Sequence, residues 1–446
     1  MKSPPPHLVA PYLQVMDSRW ALARMASHFY GNPSCGMLVV GVTGTSGKTT
    51  TTYLIESILK AAGHHVGVIG TVNMRHGEKI IPSQLTTPGS VELQRVLAQM
   101  KTEGCTAVVM EVSSHALKQH RTACIAFDGV VFTNLSPEHL DFHADMEDYF
   151  QAKALLFKEG VQFALASGKH PVAAINTDIP YGQRLLSELH ASPTRGFRIA
   201  DFGHAPIAQV SGQNLKSDLF GIQGKIERIS IHSPLMGQFN ASNILAAVAV
   251  TQGLGISDSA ISAGIADLSL VPGRLERVPN THGIHVLVDY AHKPDALENV
   301  LRTLREIQDG HRLITVFGCG GDRDRKKRPV MGRLGVEFSN HTFVTSDNPR
   351  SENPNSIIQE ILQGIPLQDL QDKKNFTVEP NREKAITAAL HMAQPGDLVL
   401  IAGKGHEDYQ IIADPDHPGK TKKIHFDDRE IAIKAMATYS EPQKSE

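Results

Sequence analysis

Apolar and polar positions along the first half of the chain predict strands that alternate with helices. Five short runs rich in strand-forming residues are predicted as strands, at residues 37–43, 65–71, 107–113, 129–134 and 172–176. Longer stretches, such as 50–62 and 91–104, have the pattern of helices. Strands that alternate with helices are typical of a parallel sheet covered by helices. We therefore expect an α/β fold.

A second series of strands and helices begins near His285. Its members are predicted at 285–291, 294–308, 313–317, 327–339, 342–346, 382–393 and 398–402. The sequence PGRLE at 272–276 separates the two series, and we interpret it as a hinge. Residues 193–233 alternate short β-like runs with glycine, which predicts an insertion or edge strands, and residues 440–446 are predicted to be a disordered tail.

A glycine-rich turn follows the first predicted strand and leads into a helix. Its sequence, GVTGTSGKTT, places three glycines before Lys48 and Thr49. Backbone N–H groups of such a turn point at phosphate oxygens, Lys48 neutralises charge, and Thr49 offers a hydroxyl to Mg²⁺. The usual motif would have glycine at Val42, but the strand-to-helix context still predicts ATP or GTP binding. The residues assigned to this cradle are Gly44, Thr45, Ser46, Gly47, Lys48, Thr49 and Thr50.

Length and composition narrow the class of protein. A chain of 446 residues is too long for one ordinary core, which predicts two or three domains. With 44 basic and 46 acidic residues, the chain has no charge excess that favours nucleic acid or a membrane surface. It also lacks an apolar run of membrane-spanning length. Four scattered cysteines favour a reducing compartment, so we expect a cytoplasmic monomer without membrane insertion.

Ten short motifs follow one another along the chain: GTSGKTT, EVSSHAL, SPEHLDFH, MGQFNASN, PGRLE, VDYAHKPD, FGCGGDRD, KRPVMG, SDNPR and GKGHE. As an ordered set they make the chain resemble the Mur ligases from about Val15 onwards, and most closely the members that add diaminopimelate. The resemblance implies a central P-loop-type parallel-sheet ATPase domain followed by a Rossmann-like α/β C-terminal domain. It also implies peptidoglycan synthesis, in which ATP phosphorylates a substrate carboxylate and an amino acid's amine attacks the acyl phosphate.

The resemblance also implies a set of catalytic and metal-binding residues. Lys48, His139 and Lys153 match catalytic positions, and Thr49 and Glu111 join His139 and Lys153 as Mg²⁺ ligands. In the family the lysine that matches Lys153 is carbamylated, although the sequence around it resembles an ordinary helix. Burial near cations lowers a lysine pKa, which carbamylation requires. The family usually has aspartate where this chain has Glu138, immediately before the histidine.

Further residues match family contacts with ATP: Asn240, Asn243, Arg274, Asp289 and His292. A guanidinium suits a triphosphate because it can donate to two oxygens at once. Arg274 could equally form an interdomain salt bridge, and its hinge position suits closure of the C-terminal domain over the nucleotide.

The resemblance also assigns the two remaining substrates. The residues that match the amino-acid pocket are Arg323, Asp347, Asn348, Pro349, Arg350, Gly403 and Glu407. Meso-diaminopimelate differs from lysine by a distal carboxylate, which Arg350 could bind in bidentate fashion, while Glu407 could hold the distal ammonium. The residues that match contacts with UDP-MurNAc-L-Ala-D-Glu are Thr86, Thr87, Ser113, Gln119 and Arg121.

One departure from the family concerns the start of the chain. Family members begin with a domain that holds the uridine diphosphate, whereas about 35 residues precede the nucleotide turn here. We expect residues 1–35 to be a remnant of that domain and its linker. Residues 36–273 are then the central ATP-binding domain, and residues 274–446 the C-terminal domain that binds the amino acid.

Two alternatives stay open from the sequence. The chain could be a Mur-type ligase for another carboxylate, because folylpolyglutamate synthetases also lack the first domain. It could instead be a non-catalytic nucleotide-binding regulator, although Lys48, Glu111, His139 and Lys153 are all retained.

Overall fold

The computed structural model describes residues 14–83, 85–372, 375–417 and 419–440, and the chain divides into two compact units. The first comprises the described residues up to Gln213, with Glu227–Ile229 and Ser242–Gly264. The second comprises Asn214–Ile226, Ser230–Ala241 and the described residues from Ile265 onwards. Residues 1–13 of the predicted N-terminal remnant lie outside the described residues, as does the predicted tail apart from Ser440.

The described part of the first unit contains one large sheet. Its strands are β1 (Leu38–Thr43), β2 (Val66–Ile69), β3 (Asn73–His76), β4 (Lys79–Pro82), β5 (Ala107–Glu111), β6 (Gly129–Phe132), β7 (Val172–Asn176), β8 (Arg198–Gly203) and β9 (Val210–Ser211). The strand order is β4-β3-β2-β5-β1-β6-β7-β8-β9. In this order, neighbouring strands from β2 to β9 are parallel, whereas the β2–β3 and β3–β4 pairs at one edge are antiparallel.

The helices that begin in the first half of the chain are α1 (Ser18–Phe29), α2 (Lys48–Ala61), α3 (Ser90–Thr102), α4 (Ser114–Lys118), α5 (Met146–Leu155), α6 (Val161–Ala166) and α7 (Pro180–Ala191). A 3₁₀ turn, Pro33–Gly36, precedes β1, and a π-helical turn, Leu156–Gly160, joins α5 to α6. Next come α8 (Gln238–Gly253) and α9 (Asp258–Asp267), each of which has residues in both units.

The central strands of the first unit are apolar on both faces because helices cover both faces of a parallel sheet. Val39, Val108 and Val130 of β1, β5 and β6 are fully buried. Each such side chain contributes about 1.5–3 kcal/mol relative to an exposed position. The chain proceeds from β1 to strands on either side of it, which makes β1 a switch point where ligands bind at the carboxyl ends of strands.

The second part of the chain forms three further sheets. Their strands are β10 (Lys216–Asp218), β11 (Gly221–Ile226), β12 (Ile229–Ser233), β13 (Glu276–Val278), β14 (His285–Asp289), β15 (Leu313–Cys319), β16 (His341–Ser346), β17 (Phe376–Val378), β18 (Leu398–Ala402), β19 (Tyr409–Ala413) and β20 (Thr421–His425). The largest has the order β13-β14-β18-β15-β16-β17 and is parallel except at β13. Strands β10 to β12 form a second sheet, and β19 and β20 form an antiparallel hairpin.

The remaining helices are α10 (Pro294–Ile307), α11 (Lys327–Phe338), α12 (Pro354–Leu362), α13 (Leu367–Asp372), α14 (Arg382–Met392) and α15 (Asp428–Ala437). None of the helices in the described parts of the chain combines the length and the apolar composition that crossing a membrane would require.

The predicted α/β class, with two parallel sheets, is confirmed. Strands β7 and β18 have the predicted bounds, and residues 193–233 supply edge strands, since β8 and β9 extend the large sheet at its border. Helix α2 begins at Lys48, two residues earlier than predicted. Gly47 has a left-handed conformation and ends the turn, so the helix starts at the next residue.

Candidate active site

Two glycines shape the turn between β1 and α2. Gly44 has φ of +152° and Gly47 has φ of +83°, conformations that favour glycine. A Cβ on Gly44 would lie 1.9 Å from the Thr133 hydroxyl oxygen, and one on Gly47 would lie 2.3 Å from Asn243 Oδ1. The sequence therefore requires glycine at both positions, and the predicted phosphate-binding turn has the backbone that such a loop needs.

Lys48 is oriented over this turn. Its ammonium donates hydrogen bonds to the carbonyl oxygens of Gly44, at 2.9 Å, and Thr45, at 2.8 Å. The Ser46 N–H donates to Asn134 Oδ1 at 2.8 Å, which fixes the far side of the turn. The cation therefore lies over the loop on which a phosphate would sit, and hydrogen bonds from ammonium to phosphate are stronger than those to neutral carbonyls.

Glu111 ends β5 beside the first residues of α2, and its side chain is buried. Its Oε1 accepts from the Thr49 hydroxyl at 3.0 Å and from the Thr71 N–H at 2.9 Å, while its Oε2 accepts from the Thr71 hydroxyl at 3.0 Å. Thr49 and Glu111 thus supply two adjacent hard oxygen ligands of the kind that Mg²⁺ prefers. Thr71 was not predicted as a site residue.

Lys153 is buried on α5, with 1% of its surface exposed. Its Nζ donates to the Gly44 carbonyl oxygen at 2.8 Å and lies 4.6 Å from the centre of the Tyr149 ring. Burial, followed by the positive charge of Lys48, lowers the pKa of Lys153 well below its ordinary value. An amine in this environment loses its proton readily and becomes a nucleophile.

His139 lies within electrostatic reach of both lysines. Burial, then the charges of Lys48 and Lys153, lower the pKa of His139 to about 4, which makes the imidazole neutral at physiological pH. Its Nε2 lies 3.1 Å from Glu138 Oε1. Glutamate in place of the family's usual aspartate therefore still reaches the ring. A neutral imidazole can accept a proton or ligate a metal.

The predicted Mg²⁺ ligands are not a cluster made of acidic residues and histidines alone. In the described residues, no group of three His, Cys, Asp or Glu side chains is arranged to hold a metal ion. The predicted set depends instead on the hydroxyl of Thr49, the carboxylate of Glu111, His139 and Lys153. The adjacent oxygens of Thr49 and Glu111 fit Mg²⁺, which usually retains water and substrate phosphates among its ligands.

The residues predicted to contact the muramoyl-peptide form a connected group next to Glu111. The Thr87 hydroxyl donates to the Glu111 carbonyl oxygen at 2.9 Å and accepts from the Ser113 N–H at 3.1 Å. Arg121 donates to the Thr87 carbonyl oxygen at 2.9 Å and to Gln119 Oε1 at 2.7 Å. The structure therefore brings Thr87, Ser113, Gln119 and Arg121 together beside the predicted metal ligand.

Thr86 joins the same group through Thr71. The hydroxyl oxygens of Thr86 and Thr71 lie 3.1 Å apart, and Thr71 is bonded to both carboxylate oxygens of Glu111. Thr71 is the last residue of the predicted strand 65–71, and this position at the end of a strand is the signal that could have identified it.

A chain of polar side chains, buried at Ser114 and His143, links α4 to α5 and was also missed. His143 Nε2 lies 2.9 Å from the Ser114 hydroxyl, and its Nδ1 lies 3.3 Å from Asp148 Oδ2. Lys118 forms an ion pair with the same carboxylate at 2.5 Å. Nothing in a sequence with 22 histidines distinguishes His143 as a residue that holds these two helices together.

The predicted ATP contacts fall in both units. Asn243, in the first unit, accepts from the Thr51 hydroxyl at 3.3 Å and lies against Gly47. Asn240, three residues earlier on α8, donates to the Met236 carbonyl oxygen at 2.8 Å. Both side chains are buried. The first unit therefore positions Asn243 beside the phosphate-binding turn.

The other three predicted ATP contacts lie in the second unit, to which Asn240 also belongs. The Arg274 guanidinium lies over the Tyr290 ring, 4.9 Å from its centre. Asp289 accepts from the N–H groups of Leu275 and Ala291 at 2.7 and 2.8 Å, and burial raises its pKa. Burial, then the charge of Lys327, lower the pKa of His292 to about 4.

The predicted amino-acid pocket lies at the carboxyl ends of β16 and β18. Asn348, just after β16, donates from Nδ2 to Glu407 Oε2 at 2.9 Å, although the two residues are 59 positions apart. Arg350 has φ of +53°, and its guanidinium donates to the Gly321 carbonyl oxygen at 2.7 Å. The DNPR and GKGHE motifs are therefore neighbours in the structure, as the predicted pocket requires.

The other pocket residues lie close by. Asp347, which precedes Asn348, is buried, and Gly403 follows β18 with φ of +120°. A Cβ on Gly320 would lie 2.9 Å from the Arg350 guanidinium and 3.9 Å from Arg323 Cγ. Arg323 itself is exposed. The two arginines thus flank the same glycine loop.

The sequence matches known families over most of its length. The family described as Mur ligase middle domain matches residues 42–251, and the family described as Mur ligase, glutamate ligase domain matches residues 273–405. The UDP-N-acetylmuramoyl-L-alanyl-D-glutamate--2,6-diaminopimelate ligase of Geobacter metallireducens is 50% identical, with 96% of this chain and 84% of that protein covered. The protein of the same name from Gloeobacter violaceus is 47% identical, with 96% and 83% covered.

Two solved structures are also similar to the chain. A structure of a UDP-N-acetylmuramoyl-L-alanyl-D-glutamate--2,6-diaminopimelate ligase has a TM-score of 0.69 at 31% identity and covers 96% of this chain and 85% of that one. Mycobacterium tuberculosis folylpolyglutamate synthase complexed with ADP has a TM-score of 0.66 at 17% identity, covering 87% and 92%, a likeness that shows the fold alone. Because both domains match and half of the residues are identical to those of a relative covered over 84% of its length, the chain belongs to the Mur ligase family.

Proposed function

We propose that the protein is an ATP-dependent ligase that joins meso-diaminopimelate to UDP-MurNAc-L-Ala-D-Glu during peptidoglycan synthesis. The observation that carries this proposal is the 50% identity to a relative that bears this activity in its name. The pocket formed by Asn348, Arg350 and Glu407 supports the choice of amino acid, because it offers a cation for a distal carboxylate and a carboxylate for a distal ammonium.

The phosphate-binding turn accounts for the first half of the reaction. ATP supplies the phosphoryl group that activates the substrate carboxylate. Turn N–H groups and the N-terminus of α2 would bind the phosphates, and Lys48 would neutralise their charge. Glu111 and the Thr49 hydroxyl would hold Mg²⁺, which offsets repulsion between the carboxylate and the triphosphate. The Arg121 group beside them would orient the muramoyl-peptide.

We propose further that Lys153 is carbamylated. The Nζ lone pair attacks the carbon of CO₂, one C–N bond forms, a C=O electron pair moves to oxygen, and a proton leaves to water. Burial next to Lys48 supports this, because it favours the neutral amine that the attack requires. The product is an anion beside His139 and Lys48, where it could bind a second Mg²⁺. A ¹³C resonance of a carbamate, present after addition of ¹³C-bicarbonate and absent in Lys153→Arg, would test the modification.

We propose a central domain of residues 36–273 and an amino-acid-binding domain of residues 274–446. The matched family ranges, 42–251 and 273–405, support this division. We expect the enzyme to act in the cytoplasm as a monomer, and sedimentation of the purified chain tests the second point.

Phosphate release from ATP tests the proposed function directly. The chain is incubated with UDP-MurNAc-L-Ala-D-Glu and with meso-diaminopimelate, L-lysine or no amino acid. We expect turnover with diaminopimelate alone. Turnover with another carboxylate in place of the muramoyl-peptide would favour a different Mur-type ligase. ATP binding without turnover in all three reactions would contradict the proposal and favour a nucleotide-binding regulator.

A further inference from the structure

Lys404 lies beneath the amino-acid pocket and has no part in the reaction as described so far. It belongs to the GKGHE motif, and none of its side chain is exposed. Its Nζ donates to Asn348 Oδ1 at 3.0 Å and to the Tyr409 carbonyl oxygen at 2.6 Å. Because the ammonium is buried, it cannot touch an amino acid bound in the pocket. Its effect on a substrate must pass through the residues that it holds.

The first effect of Lys404 is to fix the Asn348 amide. Asn348 Oδ1 accepts from Lys404 Nζ and, at 2.9 Å, from the Ile411 N–H. An amide oxygen that accepts two hydrogen bonds leaves the amide nitrogen on the opposite side as the donor. That nitrogen donates to Glu407 Oε2 at 2.9 Å. Lys404 therefore determines which end of Asn348 faces Glu407, and Asn348 in turn orients the carboxylate.

The second effect of Lys404 concerns the charge of the pocket. Its Nζ lies 3.5 Å from Asp347 Oδ1 and 3.8 Å from Glu407 Oε2. In the described residues, Asp347 Oδ1 is buried and accepts no hydrogen bond, and Lys404 is the cation within ion-pair distance of it. Lys327 and Arg382 act on Asp347 from farther away. Burial raises the pKa of Glu407, while the hydrogen bond from Asn348 and the charges of Lys404 and Arg350 oppose that rise. Lys404 thus lies within ion-pair distance of both carboxylates.

Two further buried charges, those of Arg382 and Asp428, compensate each other. Arg382 and Asp428 form an ion pair at 2.6 Å and are both fully buried at their side chains. They add no net charge to the pocket. Carboxylates and cations that lie side by side suit a distal group that carries one ammonium and one carboxylate. The distal end of lysine carries only an ammonium, and burying it would leave one cation without a partner.

We infer that Lys404 is a positioning residue that gives the pocket its preference for a zwitterionic distal end over a cationic one. This inference rests on the proposed function, because it concerns the amino acid used by that reaction. Loss of the Lys404 charge would make the pocket more negative by one charge. A lysine end would then be better tolerated relative to a diaminopimelate end.

Calorimetric binding of meso-diaminopimelate and L-lysine to the full chain tests the inference. We expect Lys404→Met to weaken diaminopimelate binding by about tenfold or more and to reduce the preference over lysine by a similar factor. Lys404→Gln retains an amide donor for Asn348 without the charge. It should therefore lose the preference while losing less affinity. KM for ATP should change by less than about twofold in both variants.

Lys169 provides a matched control in the other unit. It is also a largely buried lysine, and it donates to the carbonyl oxygens of Ser34, Met37 and Ala126 and to Asp128. Lys169→Met should lower thermal stability and leave the preference between the two amino acids unchanged.

Three results would overturn the inference. The first is a folded Lys404→Met with unchanged affinity and preference, and the second is an equal change in preference in Lys169→Met. The third is failure of both Lys404 variants to fold, which would make Lys404 a residue of the core alone. If the unmodified chain binds neither amino acid, the proposed function is wrong as well, which distinguishes the two failures.

Discussion

The two units each contain a fully buried lysine, and the two lysines have opposite surroundings. Lys153 donates to a neutral carbonyl oxygen and has Lys48 as its nearest charged influence, so burial and repulsion both lower its pKa. Lys404 is also buried, but the charges of Asp347 and Glu407 oppose the effect of burial on its pKa. Burial lowers the pKa of both lysines, and the comparison indicates that the neighbouring charges then distinguish a reactive amine from a fixed cation.

The largest effect should follow from loss of the reactive amine. Lys153→Ala should lower kcat by about a thousandfold, because one anionic ligand of the phosphoryl-transfer site is removed. Lys153→Arg retains a cation but cannot form the carbamate, and we expect the same loss. Circular dichroism should show an unchanged fold. Near-normal turnover by either variant would contradict the role of Lys153 as a reactive amine, and with it the contrast to Lys404.

Next in size is the loss of the cation that faces the distal carboxylate. Arg350→Ala should lower kcat/KM for diaminopimelate by about a hundredfold, because the carboxylate would be buried without a partner. KM for ATP, measured in the same assay, should be unchanged. Equal losses for ATP and diaminopimelate would contradict the assigned role of Arg350.

The two lysines should differ in sign when each is replaced by methionine. In CO₂-depleted buffer at neutral pH, Lys153→Met should raise the thermal midpoint. The pKa of Lys153 is lower in the folded state than in the unfolded state, so this lysine costs stability at every pH below its unfolded pKa. Burial lowers the pKa of Lys404 too, and Lys404→Met would remove that cost. It would also remove the cation within 4 Å of Asp347 and Glu407 and a hydrogen bond of Asn348, so we expect the midpoint to fall by an amount equivalent to about 3 kcal/mol. Calorimetric melting measures both, and changes of the same sign would refute the comparison.

The smallest effect concerns the hydrogen bonds to Glu111. Thr71→Val removes one hydroxyl donor and retains the N–H donor, so we expect the Mg²⁺ concentration for half-maximal activity to rise about fivefold. Thr102→Val provides a control, because the Thr102 hydroxyl donates only to the Ala98 carbonyl oxygen of its own helix. A magnesium titration that is identical in the Thr71 variant and the native chain would remove Thr71 from the metal site.

Local patterns in the sequence predicted much of the fold and of the site. The phosphate-binding turn is continuous in the chain, and its glycines have a steric reason that a sequence can reveal. Strands such as β7 and β18 are short, fully buried apolar runs, and their bounds were predicted correctly.

The residues that were missed act through partners far away in the sequence. Lys404 and Asn348 are 56 positions apart, and Thr71 and Glu111 are 40 apart. His143 reaches Ser114 across 29 positions. Their roles depend on which strand ends and helices become neighbours. The local pattern does not reveal the partners, although the position of Thr71 at the end of a predicted strand marks it as a candidate.

An NMR titration of the two lysines tests the central comparison most directly. The chain is labelled with ¹³C at lysine Cε and titrated in CO₂-depleted buffer, and Lys153→Met and Lys404→Met assign the two resonances. We predict that Lys153 loses its proton at a lower pH than Lys404, because only Lys404 has carboxylates beside it. Equal midpoints, or the reverse order, would contradict the claim that neighbouring charges set the different roles of these two buried lysines.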